Sequence, residues 1–131
     1  MPNYIHTYTD GGRAAAPGFE HECRDCTVRA YALFFDVSYA EAHAACKRYG
    51  RLDKYGMKTS DIKRSLAPHG VSLTYTLWGD RLTLNQFAAA HPTGRHYLVF
   101  NRHVAVLQDG VLLDSWKVGP RTRVIWHTTK A

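Results

Sequence analysis

The chain has 131 residues, 45% of them hydrophobic, with a formal net charge of +6 and eight histidines besides. That length suits one domain around one core, and no apolar run approaches the roughly 18 residues needed to span a bilayer. The opening MPNYIHTYTDGGR lacks the basic-then-apolar pattern of a signal peptide. The expectation is a single domain over 1–131, held in a cytoplasm, with no membrane partner.

The positive balance favours acidic partners. The charge is dispersed, though, and its densest stretch, Lys47 to Lys54, followed by Lys63-Arg64, reads as a solvated basic face. Nucleic acid is not an expected partner. The cysteines are Cys23, Cys26 and Cys46. An odd number in a reducing compartment argues against a disulfide framework.

Residues 10–18, DGGRAAAPG, read as a loop after a short extended start. A helix begins close to Cys26, with Val28, Tyr31, Ala32 and Phe35 at helical spacing toward a core. Ser38, with Glu41 three residues on, starts a second helix that Gly50 stops. A third covers about 59–67 and is closed by Pro68-His69-Gly70. Val71–Leu77 alternates as a strand does, and Thr83–Ala90 is a short helix. His96–Phe100, Arg102–Gln108, Val111–Trp116 and Arg121–His127 are strand-like. The order predicts an α+β fold, N-terminal helices packed on a C-terminal antiparallel sheet.

Asp109-Gly110 between two apolar runs is a hairpin signal. Counting outward, Gln108 faces Val111, Ala105 faces Asp114 and His103 faces Trp116. His103 and Asp114 are then diagonal neighbours on one face, about 7–8 Å apart across the two strands. Val104, Val106, Val111 and Leu113 make the opposite face, which is expected to pack, leaving the His–Asp pair on the open side. A carboxylate accepting from one imidazole nitrogen leaves the other free as a base. A surface pair on an amphipathic hairpin gives the same pattern.

A thiol at a helix start feels the helix dipole and free N–H groups, which favour the thiolate. Asp25 opposes this unless its carboxylate caps the helix. The alternative for Cys26 is a small buried residue.

Cys at a helix start, a distant His opening a strand and an acid on the next strand resemble the papain-like cysteine peptidases. Asp114-Ser115-Trp116 is similar to their Asn-Ser-Trp. Asp in place of Asn resembles the bacteriocin-processing peptidase domains of ABC transporters. Asp25 to Ala30 and Gly94 to Trp116 also resemble small phage-encoded papain-like proteins. The likeness spans about residues 22–118. It implies Cys26 as nucleophile, His103 as base and Asp114 as the orienting residue, acting on a peptide or isopeptide amide. It leaves an alternative in second place: a weakly active or inactive scaffold, phage-encoded, that binds a host protein in the host cytoplasm. The family's upstream Gln, an oxyanion donor, has no counterpart from Glu20 to Arg24. Arg24, His21 and the Cys26 backbone N–H are the candidate substitutes, and Asn3 lies far off in sequence.

Other constellations compete. Cys23-x-x-Cys26 with His43-x-x-Cys46 offers four zinc-ligand types. Without a second CxxC, the expectation is no metal and no cofactor. A redox role for the CxxC lacks the preceding strand. Tyr4, Tyr8, Tyr75, Trp78, Tyr97, Trp116 and Trp126 read as core or half-buried strand residues rather than a base-stacking platform. His69, His91, His96 and His127 stand singly at turns or strand ends, with no assigned chemistry.

Overall fold

The computed structural model describes residues 2–130. Among the described residues the fold is α+β, with four α-helices and one six-stranded sheet. The strands are β1 (Ile5–Tyr8), β2 (Thr74–Tyr75), β3 (Arg95–Phe100), β4 (His103–Gln108), β5 (Val111–Asp114) and β6 (Trp126–Lys130). The helices are α1 (Cys26–Phe35), α2 (Tyr39–Arg48), α3 (Thr59–Leu66) and α4 (Leu84–Ala90). The sheet order is β1-β5-β4-β3-β6-β2. Among the described residues no helix is long and apolar enough to cross a membrane.

The helix starts follow local chemistry. The Ser38 hydroxyl accepts from the Glu41 N–H at α2, and Thr83 with Gln86 forms a reciprocal capping box at α4. The predicted hairpin forms as counted, with Gln108 opposite Val111 and Val106 opposite Leu113. Asp109 and Gly110 both have positive φ, 49° and 78°, which a two-residue turn matching the strand twist requires.

Several expected boundaries move. Val71–Leu77 forms a strand only at Thr74–Tyr75, an edge pair against β6. The last strand is Trp126–Lys130, not Arg121–His127, because Val118 and Val124 leave the sheet to pack beneath α4. The sheet is not purely antiparallel. The extended start becomes β1, parallel to β5, which requires contact between residues more than 100 positions apart.

Both sheet faces are packed. Ala30 and Phe34 of α1, with Ile62 and Leu66 of α3, cover Tyr97, Val99, Val104 and Val106. Leu84, Phe87 and Ala88 of α4 cover Leu98, Phe100, Ala105, Leu107 and Leu112. The alternation that marks β4 as half-exposed in sequence is therefore misleading. Ala105 and Leu107 are the apolar residues of a second core, so the face bearing His103 and Asp114 is not open. On its other side α1 packs on α2 through Val28, Tyr31, Ala32, Tyr39, Ala42 and Cys46. This central helix is buried almost all round.

Four of the aromatics expected to be at least half-buried are exposed: Tyr8, Tyr75, Trp78 and Trp116. They lie on sheet edges or beyond strand ends, where no helix covers them.

The histidines do not stand singly either. His91, His96 and His127 gather around Phe87, with ring centroids of His91 and His96 5.4 Å apart. His96 is buried, its Nε2 donating to the Thr93 carbonyl (2.8 Å) and its Nδ1 paired with the Thr129 hydroxyl (2.7 Å). Burial, then repulsion from His91, lowers the His96 pKa; burial, His91 and His96 lower that of His127. A folded-state pKa below the unfolded one makes the unfolded chain take up more protons, so stability is lost as pH falls below about 6.5. The melting temperature is expected to drop between pH 7 and pH 5. His96→Gln, which keeps both hydrogen bonds without titrating, should flatten that drop. An unchanged pH slope in the variant would refute the assignment.

Candidate active site

Cys26 is the first residue of α1, and the Asp25 side chain does not cap that helix. The Asp25 carboxylate is taken up in ion pairs instead. It is fully buried and bound by Arg29 one turn on, by both Arg13 contacts at 3.2 Å and by the Tyr39 hydroxyl at 2.8 Å. The Asp25 charge that would oppose a Cys26 thiolate is matched by Arg29 and Arg13, and its side chain accepts no hydrogen bond from the opening N–H groups of α1.

His103 is the first residue of β4. Its Nε2 lies 2.5 Å from Asp114 Oδ2. The diagonal pair counted from the hairpin is thus in direct contact. His103 also stacks on Trp116, the residue counted opposite it, at 5.2 Å between ring centroids and 12° between planes. Phe100 lies parallel at 6.2 Å. Nε2 being taken by the carboxylate, Nδ1 is the nitrogen left for the thiol. The Cys26 thiol and the imidazole line one cleft, and the contact with the thiol raises the ring's pKa. Such contacts commonly tighten only when substrate binds.

Burial disfavours the His103 imidazolium. The bond to Asp114 and the contact with Cys26 outweigh burial and raise its pKa to about 9. The ring is cationic at neutral pH and sits beside the thiol.

Asp114 is buried and held from three sides. Its carbonyl accepts from the Thr9 N–H (3.1 Å) and pairs with His6 Nε2 (3.0 Å), both from the β1 segment. Its Oδ1 faces Arg29 at 3.5 Å, while Oδ2 faces His103. Arg29 thus joins the carboxylate before Cys26 to the carboxylate behind His103. Its only signal in the sequence is a cation on an otherwise apolar helix face, at i+4 from Asp25. Gly11 makes this packing possible: its φ is +70°, and a Cβ there would stand 2.9 Å from the Arg29 Cα.

Cys26, His103 and Trp116 line one cleft of about 700 Å³, floored by Met57, Ile62 and Val99. Arg24 lines it too. His21 is exposed and does not, so that candidate oxyanion donor is withdrawn. Asn3 is bound to Asn85 at the start of α4 and is equally absent. No Asn or Gln lines the cleft among the described residues.

The four zinc-ligand candidates do not converge. His43 pairs with Glu22 at 2.7 Å, the Cys23 thiol points to the Lys54 carbonyl, and Cys46 is buried between α1 and α2. Glu22, His43 and Asp53 form a tighter group. Arg51 already occupies Glu22 with two contacts, at 2.9 and 3.3 Å, and Lys47 faces Asp53. A cation would have to compete with these internal charges.

No protein-family model, curated protein or solved structure matches the chain.

Proposed function

We propose that the protein is a papain-like cysteine hydrolase acting on a peptide or isopeptide amide. The observation that carries this reading is the single cleft in which a helix-start cysteine meets an imidazole whose far nitrogen is held by a buried carboxylate. In the proposed reaction the Cys26 thiolate attacks the acyl carbon, and the His103 imidazolium gives its proton to the leaving amine as the C–N bond breaks. A thioester remains on Cys26. Water, deprotonated by His103, then attacks it, the C–S bond breaks, the carboxylic acid leaves, and the Cys26 thiolate and His103 imidazolium are restored. Asp114 holds the ring's orientation throughout.

The oxyanion falls to the backbone N–H groups at the start of α1, because no amide side chain lines the cleft. A missing donor costs about 10²–10³ in rate in enzymes that use one. That absence favours a second reading: a weakly active scaffold, of phage origin, whose cleft engages a host protein.

Pools of fluorescence-quenched peptides separate the two. Cleavage is expected in at least one pool, with Cys26→Ala reducing it by about 10³ or more. Mass spectrometry should show transient acylation of Cys26. Cleavage that survives Cys26→Ala would reject the enzyme. Binding without cleavage in any pool would select the scaffold.

A further inference from the structure

The two segments that carry the proposed nucleophile and base each carry an arginine beside it. Arg24 precedes Cys26 by two residues, and Arg102 immediately precedes His103. Both line the cleft and both are exposed. Among the described residues neither has a carboxylate within 4.0 Å. Neither side chain donates a hydrogen bond to the described protein; Arg24 only lies 6.0 Å from the Tyr55 ring. The carboxylates at this end of the molecule are already matched. Glu22 is held by Arg51 and His43, Asp25 by Arg29 and Arg13, and Asp114 by His103 and Arg29. The charge left unmatched at the cleft is therefore positive.

Both arginines also have left-handed backbone, with φ 50° at Arg24 and 60° at Arg102. Glycine or asparagine fits that conformation with less strain. Strained residues of this kind cluster where a site needs a side chain in a fixed place. Beyond the Arg24–Tyr55 contact, no ion pair or side-chain hydrogen bond among the described residues uses these two side chains.

We infer that the cleft selects a polypeptide carrying acidic side chains next to the bond or segment it engages, with Arg24 and Arg102 as the specificity-determining residues. A guanidinium fork on each wall matches a carboxylate on each side of the occupied point. The inference takes Cys26 and His103 as the centre of the site and so rests on the proposed function, although binding itself needs no chemistry.

Two measurements test it. The first compares iodoacetate with iodoacetamide at Cys26. Each transfers the same carbon to sulfur with loss of iodide, and only one carries a carboxylate. Normalised to the same ratio at glutathione, the iodoacetate preference is expected to be about tenfold. It should fall severalfold in Arg24→Gly/Arg102→Gly, which relieves the backbone rather than straining it and leaves only the attraction of the His103 imidazolium. The second uses Cys26→Ala, which cannot react. A fluorescein-labelled Gly-Ser decapeptide with four Glu should bind about tenfold more tightly than its Gln counterpart at low salt, losing that margin in the double glycine variant. A decamer of single-stranded DNA is the competing polyanion. Equal binding of the Glu and Gln peptides, or a Glu preference that survives the double variant, overturns the inference. DNA bound more tightly than the Glu peptide, with the same arginine dependence, overturns it in favour of nucleic acid. Loss of selective Cys26 alkylation, with the Glu preference intact, would instead count against the hydrolase alone.

Discussion

Iodoacetamide at pH 6 is expected to alkylate Cys26 about ten- to a hundredfold faster than Cys23 or Cys46. Cys46 is buried between two helices, and that burial pushes its thiol pKa up to about 12. Cys23 is exposed, with its thiol toward a carbonyl 3.7 Å away, and no cation faces it among its hydrogen-bond partners. Cys26 alone has an imidazolium beside it and an uncapped helix end beneath it. The sign of the pH dependence follows from His103. Its ring remains charged until the pH approaches about 9. Between pH 8 and pH 6 that cation stays beside the thiol, so the preference for Cys26 over the other two cysteines should persist. His103→Ala should remove most of the preference. Asp114→Ala should remove less, because Asp114 acts on the thiol only through the ring. Peptide mapping by mass spectrometry reads all three sites in one experiment. Equal rates at the three cysteines, or no change on His103→Ala, would show that the pair is not assembled.

The second large effect is on stability. Arg29→Met is expected to cost about 3–5 kcal/mol, since it leaves a buried carboxylate without its nearest cation. In a chain of this size that lowers the melting temperature by about 10–20 °C. Asp25 has no solvent exposure, and after the substitution only Arg13 and Tyr39 remain on it. Asp25→Asn in the Arg29→Met background should recover a substantial part of the loss, because removing both partners removes the unpaired charge. Thermal denaturation of the wild type, two single variants and the double variant closes the cycle. Additive losses would show that Arg29 and Asp25 do not act as a pair. Arg29→Lys should fall between, as an ammonium cannot reach both Asp25 and Asp114 with a planar fork.

Much of the candidate site could be read from sequence because its decisive contacts are local or set by register. A two-residue Asp109-Gly110 turn leaves one pairing for β4 and β5, and that pairing alone sets His103 diagonal to Asp114 and opposite Trp116. Cys26 at a helix start needed only the apolar spacing after it. The α+β order, the Ser38 and Thr83 starts and the Gly50 stop are likewise properties of neighbouring residues. What the tertiary structure decided are contacts between distant segments. A strand with Ala105 and Leu107 beside His103 looks half-exposed until α4 is laid over it. Val71–Leu77 has the strand pattern but finds a partner only at Thr74–Tyr75. His91, His96 and His127 are separated in sequence and meet only because α4 packs across β3 and β6. Ile5–Tyr8 becomes a strand because β5 offers it a free edge. Arg29, one cation among apolar helix residues, gained its place between Asp25 and Asp114 only when α1 was packed against β4 and β5. Local propensity and turn chemistry act over a few bonds, whereas burial and charge pairing depend on which segments the whole chain brings together.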